Sequence, residues 1–217
     1  AVRRKYEGTS QWMKAPNGQP TKLNEVQWLQ VRTPNFKAWF GDWENDAKNA
    51  SKVVDKNGEP MVVYHGSRQA GFTEFDESSD MFFTDRFDVA ATYGSYDDVE
   101  LPSIDAEFYD EHEGVYSAFI VAKNPINADF HGKTWFQSLD GMTADDVVSK
   151  AKRLNNDGAI IDNIIDIGRH GFVSDKGDST VYAVFNSNQI KSATSNTGEF
   201  NQTNPDIRFS RARNNSQ

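Results

Sequence analysis

Tyr64-His65-Gly66-Ser67-Arg68 closes a short β-branched run that begins at Met61, and its reading decides the fold. Downstream, Met81-Phe82-Phe83-Thr84-Asp85 makes a second apolar run, and Ala90-Ala91-Thr92-Tyr93 follows it at helical distance. A lone histidine at a strand end is more often structural than reactive. Here Gly66 comes directly after it, and a glycine lets a ligand amide approach the backbone closely. Asp85 can cap a helix that runs to Tyr93, with Val89 and Ala90 on its inner face. A histidine strand, an apolar strand and a tyrosine-bearing helix therefore follow one another.

Working outward, residues 1–23 are polar, carry Pro16, Gly18 and Pro20, and read as an extended arm. Leu23 to Val31 has helical spacing through Val26, Leu29 and Gln30, with Asn24 as its cap. Pro34 opens another helix, on which Phe36, Trp39, Phe40 and Trp43 form an aromatic stripe. Core packing is the first reading of that stripe; a platform for a base or a partner is the second. Asp55 to Pro60 is a turn, and Phe72 to Phe75 a short strand-like run. Residues 97–113 carry acids without a lysine or arginine, the composition of a solvated loop. Val115 to Ala122 alternates like a strand that Asn124-Pro125 breaks, and Trp135-Phe136 opens a helical patch. Thr143 caps a helix to Leu154, Ala159 to Ile165 is β-rich, Gly168 to Ser179 is a polar loop, and Val181 to Phe185 is a strand. In the tail, Asn204 to Phe209 has the residues to lie back on the body, and the last residues are expected to be disordered.

Strands outnumber helices over the second two-thirds of the chain, and no βαβ alternation is sustained. The pattern predicts an α+β fold with a split, mostly antiparallel sheet and flanking helices. Three regions are expected: an arm and aromatic helical pair over 1–50, a core over 51–195, and a polar tail over 196–217.

The 217 residues suffice to bury roughly 70% of the unfolded surface. There is no cysteine, so disulfides, thiolate chemistry and zinc–cysteine sites are excluded, and a reducing compartment fits. The net charge of -9 disfavours tight non-specific binding to nucleic acid. No apolar run is long enough to span a bilayer. The start at Ala1, without methionine, reads as a piece cut from a longer polypeptide. Gly132-Lys133-Thr134 is no phosphate loop, because Asn127 occupies the place of its leading glycine.

The order of parts resembles the NAD-cleaving fold of diphtheria toxin and the poly(ADP-ribose) polymerases. More narrowly, Trp28 to Pro34, Phe36 to Trp43, Gln189-Ile190-Lys191-Ser192-Ala193 and Asn204-Pro205-Asp206-Ile207-Arg208 resemble the ADP-ribosyltransferase domains of phage and mobile-element polyvalent proteins. That resemblance covers about Tyr6 to Ser210 and implies an ADP-ribosyltransferase-like core over 51–195. It implies that His65 donates or accepts a hydrogen bond at a ribose hydroxyl of NAD. Main-chain groups of Gly66 would hold the nicotinamide carboxamide, with Ser67 beside them. Tyr93 would stack on the nicotinamide ring, and Phe82 would supply the opposing ring where the polymerases more often carry tyrosine. Phe83 and Thr84 complete that strand. Ala90 stands where a serine often touches the carboxamide.

Tyr182 to Ile190 aligns with the last functional strand of the superfamily, and the usual glutamate falls on Val181. An anion is wanted there because departing nicotinamide leaves an oxocarbenium-like ribose. Asp178, then Asp175, in the loop upstream are the candidates for that duty, with Gln189 a third. The resemblance thus implies a mono-ADP-ribosyltransferase that uses NAD+ as co-substrate, needs no metal, and modifies a host or phage macromolecule. Protein is the first expectation for the acceptor and nucleic acid the second; no membrane partner is implied. The expected place of action is the host cytoplasm, after delivery with a phage particle. The alternative is a catalytically degenerate module of a virion protein that binds NAD, ADP-ribose or a protein, and Val181 and Ala90 favour it.

Overall fold

The computed structural model describes residues 1–69, 71–94, 114–169 and 178–208. The acidic segment 97–113, Asp175 and the last residues of the tail lie outside the described residues.

Apolar alternation in the second two-thirds of the chain produces one seven-stranded sheet among the described residues. Its strands are β1 (Val63–Gly66), β2 (Met81–Thr84), β3 (Val115–Ile120), β4 (Pro125–Thr134), β5 (Gly158–Ile165), β6 (Ser179–Val184) and β7 (Ile190–Ser192). Their order is β4-β5-β6-β2-β1-β3-β7, antiparallel throughout except for β4 beside β5. The chain has the expected α+β class. The split lies between β1 and β2, which share only the pair Tyr64 and Thr84, whereas β1 pairs with β3 along its whole length. Beyond Tyr64 the β2-facing edge of β1 is therefore unpaired with β2, and a cleft opens there.

Each half of the sheet has its own cover. On one face Val63, Phe75, Met81, Phe83, Tyr116, Tyr182 and Val184 form the central core. On the other, α5 (Ala144–Arg153) lays Val147, Val148 and Ala151 on Ile161, Val181 and Ala183. Thr143 begins α5 with a complete capping box through Asp146, as its sequence predicts. The short helix α4 (Phe87–Gly94) packs Ala90 and Ala91 against Tyr64 and Val115.

The amino-terminal stripe forms α2 (Glu25–Gln30), with Asn24 in a capping box, and α3 (Pro34–Phe40). Trp28, Trp39 and Trp43 are buried, and their indole N–H groups donate to the carbonyls of Lys14, Asn188 and Val31 at 2.8–2.9 Å. Rings so enclosed are core, which removes the platform reading. Val26 is exposed, because the helix turns Gln27 and Trp28 inward instead. The first residues do not extend away as an arm: α1 (Val2–Tyr6) and a set of turns bring Tyr6 and Trp12 edge-on to Trp28, both at 5.3 Å.

Other local expectations give way to long-range contacts. Phe72 to Phe75 forms no strand; Phe72 stacks on Tyr116 at 4.1 Å and Phe75 enters the core. The break at Asn124-Pro125 is present, since β3 ends at Ile120; Pro125 itself then begins β4, a first position on an edge strand where a missing N–H is tolerated. Trp135 and Phe136 sit in a turn rather than a helix. Asp85 does not cap α4: its Oδ1 accepts the Thr180 amide at 2.9 Å and ties β2 to β6. The tail folds back as far as it is described. Lys191 donates to the carbonyls of Asn204 and Asp206, Phe200 joins the aromatic cluster, and Ile207 joins the central core.

Candidate active site

The split in the sheet is the floor of a cleft of about 780 Å³, within the usual size of a small-molecule site. β1 contributes Tyr64, His65 and Gly66, β2 contributes Phe82, Phe83 and Thr84, and β6 contributes Val181. α4 adds Ala90 and Tyr93. The turn after β4 adds Trp135 and Phe136, α5 adds Asp145, and the segment after β5 adds Asp166 and Arg169.

His65 reaches across the split. Its Nδ1 lies 2.7 Å from the Phe82 carbonyl, and a carbonyl only accepts, so Nδ1 carries the proton and Nε2 is left as an acceptor. Phe75 and Phe83 crowd the ring at 5.0 and 5.4 Å. This burial pushes its pKa below the ordinary 6.5 and outweighs the opposing pull of the Phe82 carbonyl. The unfolded chain therefore takes up the extra proton, and stability is lost as pH falls below about 6.5, levelling off once the folded ring protonates too. Urea midpoints at pH 7.5 and 5.5 check this: the drop is expected to shrink in His65→Phe.

Gly66 lies flat against α4. A Cβ at this position would stand 1.9 Å from the Ala90 carbonyl oxygen and 2.8 Å from the Tyr93 Cβ, so only glycine lets the helix come this near. Tyr93 is 41% exposed, and its hydroxyl donates to Asp166 Oδ1 at 3.1 Å. Burial, reinforced by the Asp166 charge, pushes the phenol above its ordinary value and keeps it protonated. Phe82 stands edge-on to Trp135 at 5.3 Å, and the Trp135 indole donates to Asp145 at 3.2 Å.

The cleft thus gathers His65, Gly66, Phe82, Phe83, Thr84, Ala90 and Tyr93, although the Phe83 side chain is directed into the core. Ser67 is not on its lining: the Ser67 hydroxyl turns to the Gln69 carbonyl at 3.2 Å. Asp178 is exposed, lies by Gly132 on β4, and is likewise absent from the lining. Gln189 is committed elsewhere, donating to the carbonyls of Val121 and Asp157. Asp166, Asp145 and Trp135 were missed by sequence reasoning. An aspartate at a strand end, two residues before a glycine, was the only local hint of the first.

The family model for ADP-ribosyltransferases in polyvalent proteins matches residues 55–200, which hold every strand of the sheet and both walls of the cleft. The chain belongs to this family. ADP-ribosyltransferase domains take NAD+ as their substrate. No curated protein and no solved structure matches the chain. Among the described residues, no helix of this family member is long and apolar enough to cross a membrane.

Proposed function

We propose that the chain is a mono-ADP-ribosyltransferase that binds NAD+ in the split of its sheet and passes ADP-ribose to a macromolecule. The observation that carries this reading is the meeting of His65, the Gly66 backbone, Phe82 and Tyr93 in one cleft. His65 Nε2 accepts a ribose hydroxyl, which suits a neutral ring whose other nitrogen is already engaged. The Gly66 main chain takes the carboxamide, and Tyr93 with Phe82 flanks the nicotinamide, whose positive charge favours an electron-rich face. A protein is the preferred acceptor and a nucleic acid the second, given the net charge of -9. Action in a host cytoplasm after delivery with a phage particle completes the proposal.

The test is release of nicotinamide from NAD+, with label transfer to lysate. His65→Ala and Tyr93→Ala are each expected to lower release by about 100-fold or more, the size of a lost positioning or electrostatic group. Release that survives both substitutions rejects the site. A second reading, a binding module without chemistry, is favoured by Val181, an apolar side chain on the cleft wall. It predicts heat on titration of NAD+ with no nicotinamide released.

A further inference from the structure

Val181 leaves the β6 side of the cleft without a carboxylate, and Asp178 is not on the wall. Among the described residues that line it, the acids are Asp145 and Asp166, and they are not equivalent. Asp145 is exposed in the first turn of α5, where the helix dipole favours its charge, and its Oδ1 is taken by the Trp135 indole. It braces an aromatic wall. Asp166 is half-buried on the segment after β5. Its Oδ1 accepts both the Tyr93 hydroxyl at 3.1 Å and the Gly168 amide at 2.8 Å. Among the described residues its Oδ2 has no hydrogen-bond partner, and it is not sealed inside the protein. A second bond fastens this segment to α4, from the Arg169 amide to the Thr92 hydroxyl at 2.9 Å. The carboxylate is therefore held relative to the Tyr93 ring, with one oxygen committed and the other available.

We propose that Asp166 is the working carboxylate of this cleft: Oδ1 fixes the Tyr93 phenol, and Oδ2 faces the ribose that loses nicotinamide. The proposal rests on the ADP-ribosyl-transfer reading above. The bond between C1′ and the pyridinium nitrogen breaks, and its electron pair goes to that nitrogen. Nicotinamide leaves neutral, and the positive charge passes to C1′ and the ring oxygen. Oδ2 accepts a hydroxyl of the same ribose and stabilises that charge. Water or an acceptor hydroxyl then bonds to C1′ and gives its proton to Oδ2, which releases it to solvent. An acid supplied from the loop after β5 in this way makes a glutamate on β6 unnecessary.

Two variants test the assignment by nicotinamide release at saturating NAD+ and by calorimetric affinity. Asp166→Asn keeps the shape and removes the charge. It is expected to slow turnover by about 100-fold while affinity changes less than about threefold, since the lost interaction acts mainly on the transition state. Val181 also packs beneath α5, so Val181→Glu is compared at a wild-type melting temperature, where it is expected to gain less than about threefold because a carboxylate already serves the cleft. Wild-type turnover in Asp166→Asn overturns the assignment, and so does a gain of about tenfold or more in Val181→Glu. Either result leaves the ADP-ribosyl-transfer reading standing. A wild-type chain that neither binds NAD+ nor releases nicotinamide overturns both. Asp166→Ser, which also removes the charge and is read in the same way, keeps the assignment testable if Asp166→Asn does not fold.

Discussion

Gly66→Ala is expected to unseat α4 and with it the cleft. The added methyl would lie 1.9 Å from the Ala90 carbonyl oxygen, an atom of helix backbone that no rotamer change can move aside. Overpacking ordinarily costs about 1–3 kcal/mol, and a clash with backbone belongs at the upper end of that range or beyond it. At ~3 kcal/mol a chain of this size loses roughly 6–12 °C in melting temperature. The functional loss is larger than that figure suggests. Relief requires β1 and α4 to part, and those are the elements that carry His65 and Tyr93. Thermal melts and NAD+ calorimetry on the variant check both parts. A native melting temperature together with native affinity would show that α4 does not press on β1 as described.

The second large effect is expected at Glu59→Ala, far from the cleft. Arg32 and Glu59 form a buried ion pair at 2.8 Å, with side chains only 3% and 1% exposed. The guanidinium also lies over the Trp28 ring at 3.8 Å and donates to the carbonyls of Trp28 and Lys14. A buried pair adds little over a well-packed apolar substitute, but removing one partner strands a charge and costs about 3–5 kcal/mol. Glu44, at 3.5 Å from Arg32 and partly exposed, softens the loss without replacing Glu59. Glu59 also accepts the Thr21 hydroxyl, so the variant loosens the amino-terminal turns as well. Urea unfolding of Glu59→Ala beside Arg3→Ala is the measurement. Arg3 pairs with Glu25 at the exposed surface and is expected to leave the midpoint where it was.

Two helix caps, which rest on contacts within a few residues, formed as expected. Asn24 and Thr143 cap their helices through groups three positions away, and such geometry is written in the adjacent residues. The strand at Met81–Thr84 follows equally from its apolar run. Where the deciding partner was distant in sequence, local reading failed. Asp85 has the chemistry of a cap, but the Thr180 amide of the neighbouring strand competes for its oxygen and wins. Trp135-Phe136 reads as the opening of a helix, but the chain turns there and sets Trp135 edge-on to Phe82 of β2.

The candidate site divides in the same way. The resemblance to ADP-ribosyltransferases picked out His65, Gly66, Phe82 and Tyr93, and the strands and helix that carry them border one cleft. Asp166 and Asp145 reach the same cleft from strands and helices more than fifty residues away, and their membership follows from sheet order, not from neighbours. Residue type and short-range geometry therefore determined most of the elements, and the family motif pointed to the histidine–tyrosine pair. Tertiary packing alone decided which acids share their cleft, because a carboxylate costs little anywhere on a solvated surface and only the fold says which one faces inward.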